Sequence, residues 1–126
     1  MNRENEIATI LVDIFYHIHK ELGPGLLESV YEETVCFELF LRNIPFERQK
    51  GISVIYKDVK LPLGFRADII VDNCVIVEVK SAESIAPVHL KQGLTYLRLT
   101  NLKLGLLVNF NSNLIKDGIK RVVNGL

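Results

Sequence analysis

Phe65-Arg66-Ala67-Asp68 and, ten residues beyond Asp68, Glu78-Val79-Lys80 place two carboxylates and an ammonium in otherwise apolar runs. Their neighbours are Ile69-Ile70-Val71 on one side and Cys74-Val75-Ile76-Val77 on the other. A charge buried unpaired in such a strand is costly, or it shifts its pKa. The cluster therefore calls for a partner, and hard carboxylate oxygens suit Mg²⁺ or Mn²⁺ carrying a phosphate. Such a metal lowers the pKa of a bound water and offsets charge on a phosphoryl group. Lys80 is then placed to orient or deprotonate that water, or to balance charge in the transition state. The competing interpretation is an ion pair of Lys80 with Asp68 or Glu78 at an exposed strand end.

Register decides whether these groups meet. Glu78 and Lys80 are two apart and share a face of any strand that carries them. A two-residue turn at Asp72-Asn73 would put Asp68 opposite Val77, on the wrong face. A three-residue loop, Asp72-Asn73-Cys74, pairs Val71 with Val75 and sets Asp68 across from Glu78, and this is the expected hairpin. Asp68, Ile70, Ile76, Glu78 and Lys80 then share one face, and Ile69, Val71, Val75, Val77 and Val79 the other.

Other chemistry-bearing residues sit on predicted helices. Gly25, Glu28 and Tyr31 recur at intervals of three along one helix side, where Glu28 either points to solvent or leans toward the acids. There the glycine would admit another backbone, and the tyrosine would fix the glutamate or meet a phosphate. His89, Gln92 and Tyr96 line one side of a later helix, with Gln92 able to position a water and Tyr96 able to stack or cap the core. His17 and His19 diverge on their helix and read as structural. No P-loop, dinucleotide fingerprint, zinc site or hydrolase elbow is present.

The elements that must position these residues follow from periodicity. Ile7, Ile10, Leu11, Ile14, Phe15 and Ile18 predict a helix from about Glu4 to Glu21, stopped by Gly23-Pro24-Gly25. A second helix, about Leu26 to Arg42, is apolar on most of its surface and is expected to be deeply packed. Ile52, Val54 and Tyr56 alternate, Lys57-Asp58 is a turn, and Val59 to Leu63 returns. Pro62 and Gly64 are expected to bend or break the pairing before Phe65 to Val71 resumes. A strand at about Val75 to Ser81, a helix from about Pro87 to Leu99 and a buried strand from Gly105 to Phe110 follow. Leu114, Ile115, Ile119, Val122 and Val123 are spaced for a final helix. The fold class is α/β: a mixed sheet flanked by helices on both faces.

At 126 residues, 48% of them hydrophobic, the chain reads as a single domain, 1–126, able to bury a core without staples. Cys36 and Cys74 lack metal or redox spacing and read as packing thiols of a reducing, cytoplasmic protein. The polar amino terminus is no secretory signal, and no stretch is long and apolar enough to span a membrane. Zero net charge conceals an asymmetry: residues 1–47 carry nine acids and three bases, and residues 48–126 six acids and twelve bases. The basic part contains the charged hairpin, which suits a polyanion.

Leu22-Gly23-Pro24-Gly25-Leu26-Leu27-Glu28-Ser29-Val30-Tyr31 resembles the signature of the GxxExxY family of small bacterial and archaeal proteins. The similarity continues through Phe46-Glu47-Arg48-Gln49-Lys50, Phe65-Arg66-Ala67-Asp68, Val77-Glu78-Val79-Lys80, Gln92 with Tyr96, Gly105 to Phe110, and Leu114 to Arg121. That family is grouped with the PD-(D/E)XK nuclease superfamily. The resemblance implies a restriction-endonuclease-like α-β-β-β-α-β core, with extra N-terminal and C-terminal helices. It makes Glu28, Asp68 and Glu78 the metal-binding acids, with Lys80 and Gln92 completing the catalytic set and Gly25, Tyr31 and Tyr96 a supporting shell. The chain departs at Ala67, where the superfamily name has proline. The implied activity is Mg²⁺- or Mn²⁺-dependent cleavage of DNA, or less so RNA, and the implied partner a nucleic acid. The alternative is a catalytically silent module that binds nucleic acid, a protein partner or a second copy of itself.

Overall fold

The computed structural model describes residues 2–126, the side chain of Leu63 excepted. Helix α1 spans Arg3–Leu22 and α2 Glu28–Leu41; strands β1 (Phe46–Tyr56), β2 (Val59–Val71) and β3 (Val75–Lys80) follow. Helix α3 (Pro87–Thr100), strand β4 (Leu104–Asn109), a 3₁₀ turn (Ile115–Gly118) and strand β5 (Ile119–Val123) complete the chain. The five strands form one sheet in the order β1-β2-β3-β4-β5. It is mixed, because β3 and β4 run parallel across the α3 crossover while the other neighbours are antiparallel. This is the expected restriction-endonuclease-like α/β fold.

Alternation along the strands divides the core in two. Ile69, Val71, Val75, Val77, Val79, Leu106 and Val108 pack with Ile7, Leu11, Ile14, Phe15, Tyr31, Val35 and Leu39 of α1 and α2. On the opposite face Ala67, Ile70 and Ile76 pack with Leu97 of α3. Helix α1 follows its periodicity: Asn2 caps it by accepting from the Asn5 N–H at 2.8 Å, and Gly23 ends it at φ +69°.

Two expectations are corrected. Helix α2 is not deeply packed: Tyr31, Glu32, Val35, Cys36 and Leu39 form one buried stripe, while Val30, Phe37, Phe40 and Leu41 face outward. Its apolar residues simply exceed the width of stripe the sheet can cover. The expected C-terminal helix is instead a 3₁₀ turn and a strand. Ile119-Lys120-Arg121-Val122-Val123 is rich in β-branched residues, and the outer edge of β4 offers it backbone partners from Leu104 to Val108. At the turn Gly118 lies so close to Asn109 and Ser112 that a Cβ would collide with a backbone oxygen.

Residues 62–64 do not break β2. The register shifts between Ile52↔Phe65 and Val54↔Leu61, so three residues on β2 oppose Ser53 alone. Lys57 and Asp58, both at positive φ, close the expected turn between Tyr56 and Val59. Among the described residues no helix is long and apolar enough to cross a membrane.

Candidate active site

The β2–β3 connection is the three-residue loop that brings Asp68 and Glu78 together. Val71 pairs with Val75, Ile70 with Ile76 and Ile69 with Val77, and Cys74 N–H closes the loop on Val71 O at 3.0 Å. Asp72 and Asn73 adopt positive φ there, which Asp and Asn tolerate better than most residues. The paired register ends at Ile69↔Val77, one position short of Asp68. At that point the Asp68 side chain takes over, its Oδ2 accepting from the Val79 N–H at 2.8 Å.

Asp68 lies at a local slip. Ala67 packs on the α3 side and Ile69 on the α1–α2 side, although residues two apart on a regular strand share a face. The opposing residue on β1, Gln49, is at φ +52°, and the β1–β2 register skips the Gln49/Asp68 position. Gln49 turns its amide inward, donating to Glu32 Oε1 at 2.7 Å and to Asp68 Oδ1 at 3.4 Å. Glu32, 6% exposed, also accepts from Arg48 Nε at 2.7 Å. Sequence reasoning gave Glu32 and Gln49 no role, although Glu32 has the spacing of Val35 and Cys36 on α2 and Gln49 lies in the Phe46–Lys50 stretch that carries the resemblance.

Glu78 is 8% exposed, and its Oε1 is buried without a hydrogen-bond partner. Its carboxyl is pushed up to about 9, first by burial and then by the Asp68 charge beside it, against a weaker pull from Lys80. The ion-pair alternative is not what forms: among the described residues Lys80 has no carboxylate within ion-pair distance. Tyr96 faces the same acids, for burial and the charges of Glu78 and Asp68 raise its hydroxyl while Gln92 opposes them. Phe65 stacks on Tyr96 with ring centroids 3.7 Å apart. His89 serves the start of α3, its Nδ1 accepting from the Ala86 N–H at 3.0 Å.

Glu28 approaches from the other side of the sheet's end. It is the first residue of α2, exposed, with Oε2 accepting from the Ser81 N–H at 3.2 Å, one residue past Lys80. Ser81 Oγ donates to Leu26 O at 2.6 Å, so the loop before α2 is clasped to the end of β3. Tyr31 fixes that loop. It is fully buried, stacks on Phe110 at 4.5 Å, donates to Gly23 O at 2.6 Å and accepts from the Leu26 N–H at 3.1 Å. Gly25 is outside α2, where its φ of +100°, and not a close neighbour, calls for glycine.

The donor set suits a hard cation, since the stranded Glu78 oxygen and the Asp68–Glu78 repulsion are both relieved by a positive charge between them. Among the described residues no three His, Cys, Asp or Glu side chains converge as a metal cluster. Asp68 and Glu78 form the close pair, and Glu28 is engaged at Ser81. A family model described as the PD-(D/E)XK nuclease superfamily matches residues 5–122. No curated protein and no solved structure gives a significant match. The match covers almost the whole chain, which therefore belongs to that superfamily.

Proposed function

We propose that this member of the PD-(D/E)XK nuclease superfamily is a Mg²⁺- or Mn²⁺-dependent nuclease that hydrolyses phosphodiester bonds in DNA, and less readily in RNA. Superfamily membership suggests nuclease activity as such. The finer reading is carried by one observation, a buried Glu78 with an unpartnered oxygen beside Asp68 where β2 and β3 part. The Gly25–Glu28–Tyr31 spacing supports placement within the GxxExxY family.

Asp68 and Glu78 would hold a dication that lowers the pKa of a water and offsets phosphate charge, and Glu28 would join them as the third acid on leaving the Ser81 amide. Val79 N–H and the Gln49 amide hold Asp68 in one orientation, sparing the entropy of fixing it on binding. Lys80, on the same strand face as Glu78, presents its ammonium to the attacking water and to charge developing on the phosphate. Tyr96 faces the acids from α3 with Gln92 hydrogen-bonded to it, and the two would orient the scissile group. The two cysteines are unpaired, and burial raises both thiols, Cys36 to about 11, which suits inert packing groups in a reducing cytoplasm.

Purified protein with Mg²⁺ or Mn²⁺ is expected to cut at least one of duplex DNA, single-stranded DNA and RNA. Asp68→Ala and Lys80→Ala should each lower the rate by about 100-fold or more while circular dichroism and Tm stay native-like. Equal residual cleavage by both variants would mark contamination and refute the assignment. A second reading, a silent module that pairs with itself or another protein, is favoured by the outward Phe37, Phe40 and Leu41 of α2. It predicts no heat of metal binding and no cleavage.

A further inference from the structure

We propose that the two-stranded arm formed by residues 50–66 enters the major groove of duplex DNA and carries the substrate to the site, an inference that rests on the nuclease reading. Strands β1 and β2 pair along their length, yet β3 joins β2 only from Ile69 to Val71. Among the described residues the ribbon has no third strand outward of Ala67. Its length from Gly51 to Tyr56 is about 20 Å.

The surface of the arm is both apolar and cationic. Ile55 is 70% exposed, and Tyr56, Val59 and Leu61 are exposed as well. Lys57 sits at the tip, its ammonium 5.6 Å from the Tyr56 ring, and Lys60 pairs across from Ile55. With Lys50 and Arg66 the arm carries four bases against one acid, Asp58, although the whole chain is neutral. At its base a cleft of about 480 Å³ opens toward α3 with Lys50 and Arg98 on its walls. Apolar β-branched and aromatic groups between cations suit base edges and thymine methyls flanked by phosphates.

Position ties the arm to the chemistry. Phe65 stacks on Tyr96, which faces Glu78 and Asp68, and Phe65 and Asp68 lie three residues apart on the same strand, β2. A groove that takes the ribbon therefore brings its phosphates past the acids. The bulge opposite Ser53 sets the angle of the arm, and Gly64 permits it: a Cβ there would lie 2.5 Å from Val54 Cγ2 and 2.6 Å from Ile52 O. B-form DNA has a major groove about 12 Å wide that admits a two-stranded ribbon, whereas the A-form RNA groove is too narrow.

The test is binding without divalent metal, read by fluorescence anisotropy on the full chain with a short labelled DNA duplex, the same single strand and an RNA duplex. The expected result is tightest binding to duplex DNA. The Lys57→Glu/Lys60→Glu double variant should weaken it by about tenfold or more and lower the log–log salt slope by about 2. Hydrogen exchange on the unsubstituted chain should show slowed amides within 51–66 when duplex DNA is added, which keeps the proposal testable if the variant misfolds. Unchanged affinity in a folded double variant, protection confined elsewhere, or preference for single strands or RNA would each overturn it. Duplex binding through the arm without cleavage in any metal would instead uphold the arm and remove the nuclease reading.

Discussion

A buried carboxyl with a second carboxylate beside it cannot ionise cheaply, and Glu78, buried next to the half-buried Asp68, meets that condition. Because the Glu78 carboxyl is raised in the folded chain, the folded state holds a proton that the unfolded state has lost. Stability from this group is therefore fully present below its unfolded value of 4.5 and is lost as pH rises toward about 9. Glu78→Gln should thus stabilise the metal-free fold at pH 8 by on the order of a few kcal/mol, read as a higher Tm, with the gain vanishing near pH 4, while abolishing metal-dependent cleavage. Thermal melts across pH check this, and a variant no more stable at pH 8 than at pH 4 would contradict it. A dication should stabilise the wild type above pH 7 and do so far less in the variant. Glu32 makes a second residue-scale case: Arg48→Ala leaves a buried carboxylate on Gln49 alone and should cost about 1–3 kcal/mol in urea unfolding.

At the scale of elements, the arm and α2 carry the clearest expectations. The Lys57-Asp58 turn holds two non-glycine residues at φ +49° and +64°, a strain the paired strands around it impose. Asp58→Gly is expected to stabilise the protein by about 0.5–1 kcal/mol, and a loss of stability would show that Asp58 makes a compensating bond. The loop before α2 depends on Tyr31 in the same way. Tyr31→Phe keeps the Phe110 stack but strands Gly23 O and Leu26 N–H, so it should cost about 1–2 kcal/mol and loosen Glu28. Hydrogen exchange at Ser81, whose amide Glu28 accepts, reports that loosening.

Across the whole molecule, a sheet covered unequally on its two faces explains both the stability and the exposed surface. Phe15 is fully buried and meets Phe110 edge to face at 5.9 Å, so Phe15→Ala should cost about 3–5 kcal/mol. Phe40 is 68% exposed, and Phe40→Ser should stay within about 0.5 kcal/mol by chemical denaturation. The site lies at the end of the parallel β3–β4 pair, where the start of α2 and one face of α3 meet the last residues of β3. Carboxyl ends of parallel strands are where open α/β sheets leave room for ligands.

Much of this was legible from residues alone. The charged triplet in apolar runs, the two-residue spacing of Glu78 and Lys80, and the three-residue loop after Val71 are local facts, and strand parity converts them into position. Helix α1 follows from apolar spacing within a single segment. What the residues left open depended on partners distant in the chain. Whether residues 119–123 became helix or strand was decided by the free edge of β4. How much of α2 is buried was decided by the width of the sheet beneath it. The slip at Asp68 was decided by Gln49 and Glu32, brought from β1 and α2 to one point. Periodicity acts within a few residues, while burial and edge pairing act across the fold, so chemistry and local shape are written in the chain and the final aim of each side chain is settled only by packing.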